Sequence, residues 1–463
     1  MRSAKARLTS PARSGAGIAL VLAVASVVAG CGGASPPART AARVEVLASR
    51  LGPVTATPAS KQLEWVIGEL NRGAAPTAAD LAEHFSSAFL AAVPPKQLIA
   101  DLTPFARQDL VIAGLFSGAG ADALAAEVNG AAGFSFRVTI TVSPTAPHLI
   151  EGLLLSPLPR AISSWSGVDQ ALERLAPHAS LYAGYGGGGE IHELNGTEPG
   201  AIGSAFKLYV LAALASAIEH GSVHWNTPLA IRDAWKSLPS GNMRLEPAGR
   251  KFTLLHYAQQ MISVSDNTAA DHLIGRLGRG AVEAQLVALA NHSVARNEPF
   301  LTTRELFALK LAAPSALMRA FAAGDTAERT RLLPRVERLT PTIAEAASWT
   351  TPRAIDTIEW FASPADLAHA ISQLEVDSDK PGLSPLRQVL AINPGIGFNR
   401  SIWPYVAYKG GSEPGVLSTT WYLRRRDGRT FVLSIVLNNP KADISTLAEV
   451  SVAEAAVNLL AGG

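Results

Sequence analysis

The segment GSAFKLYVLAALASAIEHG, residues 203–221, is apolar on nearly every side once past its first few positions. A helix of that kind has no face to offer water and has to be buried in a large core. It carries one long cation, Lys207, near its start, and a hydroxyl, Ser204, three residues earlier. Positions three apart lie on the same side of a helix. A lysine held among Phe206, Leu208 and Val210 is partly desolvated, which disfavours its charged form and lowers its pKa. Such a lysine can take the proton from a serine hydroxyl. If Ser204 opens the helix, the backbone N–H groups there also favour a developing anion. Taken alone, the pair is more often a snorkelling lysine and a capping serine.

The chain has 463 residues, which favours two domains behind a targeting segment. Hydrophobic residues make up 48% of it, enough for large cores. The formal net charge is +2 and the basic residues are scattered, which argues against a nucleic-acid binder. At the N-terminus, Arg2, Lys5, Arg7 and Arg13 precede the apolar run GAGIALVLAVASVVAG and then Cys31. That is the layout of an export signal, and VAGC resembles a bacterial lipobox in which the cysteine is lipidated. Cys31 is the only cysteine, so an exported chain has no disulfide to form. Residues 1–30 are therefore expected to be a lipoprotein signal peptide and 31–59 a flexible tether. The protein is expected to be exported and held by lipid at the outer face of the cytoplasmic membrane.

Residues 60–157 read as a small α+β domain. KQLEWVIGELN and TAADLAEHFSSAFLAAV have helical spacing of apolar residues, and four strand-like runs follow, LVIAGLF, DALAAEV, FSFRVTITV and HLIEGLLL. Gly, Asn, Pro and Ser separate the runs, as in an antiparallel meander. Residues 160–463 form a second domain. It opens on a glycine-turned hairpin in ASLYAGYGGGGEIHELNG, continues through helices predicted at 204–219, 253–262 and 267–277, and returns to strands in WPYVAYKGG, VLSTTWYLRRR and TFVLSIVLNN. Strands at both ends with helices between predict one antiparallel sheet, its terminal strands adjacent, backed by a helical lobe.

Two further segments bear on Ser204 and Lys207. In SVSDNTAADHLI, Ser265, Asp266 and Asn267 lie between two helical runs, where Ser, Asp and Asn are also ordinary caps. In VAYKGGSE, Lys409 ends a strand, and Gly410 and Gly411 would let the backbone approach a ligand. In this order the three segments resemble the S-x-x-K, S-D-N and K-T-G elements of class A β-lactamases and penicillin-binding proteins. The resemblance covers about residues 160–463 and implies a class A β-lactamase-like serine hydrolase domain. Ser204 would be the acylated nucleophile, Lys207 its base and Ser265 the proton donor to the leaving atom. Asn267 would brace Lys207, and Lys409 would support Ser265 and the anionic end of a substrate. The N–H groups of Ser204 and Ser412 would form the oxyanion hole.

The pattern is departed from in three places. Gly410 stands where the family has a hydroxyl that meets a substrate carboxylate, and Ser412 is the nearest replacement. About 140 residues separate Ser265 from Lys409, an excess expected to form extra helices at the site mouth, with Trp349, Trp360 and Phe361 lining it or simply enlarging the core. Glu298 in NEPFLTTRELFALK resembles the family's deacylating glutamate, but Thr302 replaces the usual asparagine and the following loop is short. An alignment through Thr302 and Thr303 instead leaves that glutamate missing.

The two-domain order is similar to that of clavulanate-biosynthesis proteins, whose first domain has a steroid-isomerase-like (NTF2-like) fold. Isomerases of that fold use a tyrosine and acids in an apolar pocket. Residues 60–155 contain no tyrosine, so a docking or wall-forming role is expected for them. No cofactor is expected. The ten histidines are scattered, and only His220 and His224 are four apart, across the helix-breaking Gly221. The expected partner is a small β-lactam, ester or peptidoglycan-derived substrate, with slow β-lactam turnover. The other readings are a D-Ala-D-Ala peptidase and a penicillin-binding protein that does not turn over.

Overall fold

The computed structural model describes residues 52–72, 76–130, 135–158 and 162–462. The expected signal peptide, Cys31 and residues 31–51 of the expected tether lie outside them. The chain divides into two compact units at Ser156/Pro157.

The first unit begins earlier than the sequence reading placed it. The Gly52 and Leu115 backbones exchange hydrogen bonds at 2.8 and 2.9 Å. Helix α1 starts at Pro58 and runs to Arg72, burying Leu63, Val66, Ile67 and Leu70 along one stripe. The next helical stretch is broken in two, α2 (Ala78–His84) and α3 (Ser87–Ala92). Phe85 between them is extended and bridges Ile150, while the Ser86 hydroxyl accepts from Phe89 N at 3.1 Å and restarts the helix. Helix α4 (Pro95–Leu102) was not read from the sequence. Strands β1 (Val111–Leu115), β2 (Ala123–Asn129), β3 (Ser135–Val142) and β4 (Ile150–Leu158) form one sheet in that order, with β1–β2 and β2–β3 antiparallel. On β3 the buried residues are Phe136, Val138, Ile140 and Val142, the period of two that a half-buried strand requires.

The second unit opens with α5 (Trp165–Leu175), the hairpin β5 (His178–Tyr185) and β6 (Glu190–Leu194), and short β7 (Gly200–Ala201). A 3-10 turn, Gly203–Phe206, leads into α6 (Lys207–Glu219). Ser204 therefore sits one turn ahead of the α-helix rather than opening it. Two short paired strands, β8 (Pro228–Ala230) and β9 (Lys251–Thr253), precede α7 (Leu254–Ser263), α8 (Asn267–Leu277), α9 (Arg279–Ala288) and α10 (Thr303–Phe307). A single π turn, Ala308–Ala312, extends α10. Then come α11 (Ser315–Ala323), α12 (Thr326–Val336), α13 (Ile343–Ser348), β10 (Phe361–Ala362), α14 (Pro364–Asp377) and α15 (Pro385–Leu390). The unit closes with β11 (Tyr405–Glu413), β12 (Val416–Arg424), β13 (Thr430–Asn438) and α16 (Thr446–Gly462).

The main sheet has the order β11-β12-β13-β5-β6, with every neighbouring pair antiparallel. The first and last parts of this unit thus meet at β5–β13, as the strand distribution predicted. On one face Leu181, Trp421 and Leu433 pack with Leu172 of α5 and Ala456 of α16. On the other face Val432 and Val436 join the core around α6 and α14. Helix α6 is buried from Lys207 through Ala215, as its all-round apolar pattern demanded.

The segment between Ser265 and Lys409 adds core rather than a lining of aromatics. Trp360 is stacked on Phe206 at 3.9 Å, and its Nε1 donates to Leu301 O at 3.0 Å. Phe361 is buried in β10, paired with β7. Only Trp349, edge-on to Phe307, is half-exposed.

Candidate active site

Ser204, Lys207, Ser265, Asn267 and Lys409 come together although 205 positions separate the first from the last. Lys207 is fully buried, and its Nζ lies 3.2 Å from Ser204 Oγ, 3.0 Å from Ser265 Oγ, 2.5 Å from Ser265 O and 2.6 Å from Asn267 Oδ1. Lys409 Nζ reaches Ser265 Oγ at 3.1 Å and Gly410 O at 2.5 Å. One hydroxyl therefore bridges two buried amines.

The partners of Lys207 define its state. The Ser265 carbonyl and the Asn267 Oδ1 can only accept, so they use two N–H bonds. A neutral amine has two such bonds and one lone pair, which is then free for a hydroxyl proton. Burial pulls Lys207 down to about 7, against the opposing pull of Asp266 and Asp271. Burial, aided by Lys207, also takes Lys409 well below the ordinary lysine range. The hydroxyls are placed differently: Ser204 is the only residue from Ala201 to Ala215 that is not buried, and Ser265 is also half-exposed. The two serines thus lie nearer the surface than the buried amines behind them.

The backbone is shaped for this. Ser265 has φ +56°, a left-handed conformation that costs a non-glycine residue about 1–3 kcal/mol and is found where structure over-determines it. Here the Ser265 carbonyl accepts from Lys207 and, at 2.7 Å, from Ser240 Oγ. Asn267 Nδ2 donates to Leu238 O at 2.6 Å, fixing the amide so that its oxygen faces Lys207. Asp266 caps α8 through Ala269 N and also accepts from Met243 N, both within 2.9 Å. Ser240 and the Leu238 carbonyl were not singled out from the sequence. The turn cluster LPSGN around them was the available signal.

Strand β11 passes against the turn that carries Ser204, with no space for a side chain at Gly411. A Cβ on Gly411 would lie 2.4 Å from Ser204 N and 2.2 Å from Ile202 O. Gly203 has φ +48°, and its Cβ would lie 3.1 Å from Ser412 N. The segments bearing the Ser204 and Ser412 N–H groups are thus in direct contact, which two glycines permit. At Gly410 a Cβ would meet the Tyr408 hydroxyl at 2.2 Å. The tyrosine occupies the space a longer residue would need, and Ser412 lies one strand repeat further along the same face.

Glu298 is not part of the network. It is half-exposed, and among the described residues no hydrogen bond joins it to Ser204, Lys207, Ser265 or Asn267. Its neighbours are committed elsewhere: Asn297 pairs with the Phe361 backbone, and Phe300 N donates to Glu283. The short loop instead brings Thr303 onto α8, with Thr303 N and Oγ1 both bonding Asp271 Oδ1 within 2.9 Å. Among the described residues no cluster of three or more His, Cys, Asp or Glu could hold a metal ion.

Residues 168–460 match the family model described as the β-lactamase enzyme family, and residues 54–145 match one described as the ORF 12 gene product N-terminal region. No curated protein matches the chain. Among solved structures, a β-lactamase from Sphaerobacter thermophilus shares 21% identity over 64% of this chain and 97% of its own, with a TM-score of 0.46. A β-lactamase from Xanthomonas campestris pv. campestris shares 16% over 64% of this chain and 97% of its own, at 0.45. The protein PBP-A shares 16% over 65% of this chain and all of its own, at 0.42. With its family model spanning well over half of its length, this chain belongs to the β-lactamase enzyme family.

Proposed function

We propose that the protein is a serine hydrolase that forms an acyl-enzyme on Ser204 with a small β-lactam, ester or related amide. The supporting observation is the position of Lys207 Nζ, buried and 3.2 Å from the only half-exposed hydroxyl of its helix start. Neutral Lys207 takes the Ser204 proton as Oγ bonds to the substrate carbonyl carbon. The carbonyl π electrons move to oxygen, and that oxyanion is held by the N–H groups of Ser204 and Ser412. Collapse re-forms the carbonyl and breaks the bond to the leaving nitrogen or oxygen. That atom takes the Ser265 proton, which Lys207 replaces across 3.0 Å. Water then attacks the ester, and its proton has to be accepted as well. The test is mass spectrometry after a penicillin or fluorophosphonate probe. One adduct on the peptide carrying Ser204, absent from Ser204→Ala, is expected, and labelling of that variant would overturn the assignment.

Glu298 standing apart favours a second reading on the same site, a penicillin-binding protein whose acyl-enzyme is long-lived, including one acting on D-Ala-D-Ala stems. Nitrocefin turnover at the rate of acylation would decide against it.

The exported, lipid-anchored reading rests on the basic, apolar and small-residue sequence ahead of Cys31. Cys31→Ala should leave unprocessed or soluble protein, and unchanged mass and membrane association would refute it. The first unit is read as non-catalytic, NTF2-like in its helix-then-sheet order and similar in placement to that of the clavulanate-biosynthesis proteins. Isomerase activity arising from that unit would contradict this.

A further inference from the structure

Three ionisable groups that the acylation chemistry leaves unused are buried together at the far end of β11. Lys310 lies in the π turn after α10, with a side chain that is 0% exposed. Its Nζ bonds Glu359 Oε1 at 2.9 Å and also Glu413. The two carboxylates are 0% and 5% exposed. Burial and then the facing Glu359 push Glu413 well above the usual carboxylate range, while the two acids together outweigh the effect of burial on Lys310 and hold it charged. Taking such ions out of water costs several kcal/mol each, so a cluster like this is weak evidence for stability and better evidence for fixed geometry.

The geometry it fixes is next to the nucleophile. Side chains alternate along a strand, so Lys409, Gly411 and Glu413 share one face of β11. Lys409 reaches Ser265, Gly411 abuts Ser204 N, and Glu413 is the next in that row, directly after Ser412. Glu359 leads to the opposite wall. Its Oε2 accepts from Trp360 N at 3.0 Å. The Trp360 carbonyl accepts from Ile202 N at 3.0 Å, and its ring stacks on Phe206. One buried ammonium thus ties the strand that carries Ser412 to the turn that carries Ser204.

We propose that Lys310, Glu359 and Glu413 are positioning residues, a clasp that sets the spacing between the Ser204 and Ser412 N–H groups. This rests on the acyl-enzyme reading of the site. An oxyanion forms in both half-reactions, so a displaced N–H slows both, and a misplacement of about 1 Å can cost on the order of 10²-fold. Glu413→Gln removes the acid that holds the β11 end of the clasp and leaves Glu359 as the acidic partner of the ammonium. The triple variant Lys310→Met/Glu359→Gln/Glu413→Gln leaves no buried charge, so it remains informative if the single variant does not fold.

The experiment measures acylation and deacylation rate constants with nitrocefin, non-covalent affinity, thermal melting and backbone hydrogen exchange on the full chain. The clasp predicts that acylation and deacylation fall together, by about tenfold or more, in protein that is folded at the assay temperature. Affinity should stay within about twofold. Exchange should rise at both 202–206 and 410–413. Both rate constants within about twofold of wild type in the folded triple variant would overturn it, as would unchanged exchange at both segments. Loss of deacylation alone would also overturn it, since that is the mark of a proton-transfer role. If wild-type Ser204 never labels while exchange still rises at both segments, the hydrolase reading falls and the clasp stands.

Discussion

The corner around Ser204 and the loop around Glu298 carry sequence motifs of similar visibility, yet only the first is assembled. At the corner, four of the five motif side chains are joined through Lys207 Nζ, and Lys409 joins through Ser265. At the loop, Glu298 is flanked by residues whose polar groups are bonded away from Ser204. The difference separates the two halves of a hydrolytic cycle. On the proposed reading, the groups that would make an acyl-enzyme are joined to one another, and among the described residues no hydrogen bond joins Glu298 to them.

The largest expected effect tests whether the corner is the site at all. Ser204→Ala should remove covalent labelling completely, because Ser204 is the half-exposed hydroxyl beside both Lys207 and the backbone of β11 at Gly411. Ser265 is the closest rival, at 3.0 Å from the same amine. Labelling that moves to the Ser265 peptide would break the comparison by shifting the nucleophile. Next comes Lys207→Met, which keeps the buried stem and removes the base. Labelling should slow by about 10²–10⁴-fold, the usual contribution of a positioned general base. A smaller loss in a folded variant would mean that Lys207 is not the base.

A third effect is graded by pH. Lys207 must be neutral to accept the proton, and burial brings it down to about 7. Below that value the neutral fraction falls about tenfold per pH unit. The labelling rate should therefore rise with pH up to about 7 and level off above it. A rise that continues toward pH 10 would mean an unperturbed lysine and would break the electrostatic account of the corner. The level part should be unaffected by salt, because screening acts weakly on a fully buried group.

How much of this could be read from the sequence follows from the spacing of the partners. Ser204 and Lys207 lie three apart at one helix start, where local geometry puts them on one side, whereas Ser265, Asn267 and Lys409 were joined to them only through the resemblance of the three segments to a family pattern. The apolar runs forecast the buried α6 and the strand order β13–β5, because burial and alternation leave a one-dimensional trace. The Lys310 clasp left none, since its partners stand 49 and 103 positions away and each charge reads alone as surface. The place of Trp360 was left open between the site mouth and the core for the same reason. Its stack on Phe206 spans 154 positions, and an aromatic at a cleft mouth and one in a core look alike in sequence. The turn at Phe85 was hidden inside a helical pattern, because Ser86 can cap a new helix as readily as continue an old one.

The smallest effect is expected at the loop, and it sharpens the comparison most. If Glu298 worked as the deacylating base, Glu298→Gln would cut release of the acyl group by about 10²–10⁴-fold and leave acylation untouched. In this structure its carboxylate has no bond to Ser204, Lys207 or Asn267, and the segment after it runs directly onto α8 through Thr303 and Asp271. The expected change is therefore less than about threefold in both half-reactions, within the range of substitutions that alter no transition-state contact. Wild-type nitrocefin hydrolysis should show a burst of about one equivalent followed by slow turnover. The measurement is stopped-flow nitrocefin hydrolysis, with the burst and the steady rate fitted separately. A steady rate that collapses in Glu298→Gln while the burst stays would show the loop reaching the site in solution, and the two regions would then be one machine. An unchanged steady rate leaves the release step to a group at the corner, and Lys207, neutral again once Ser265 has taken back its proton, is the base nearest the ester.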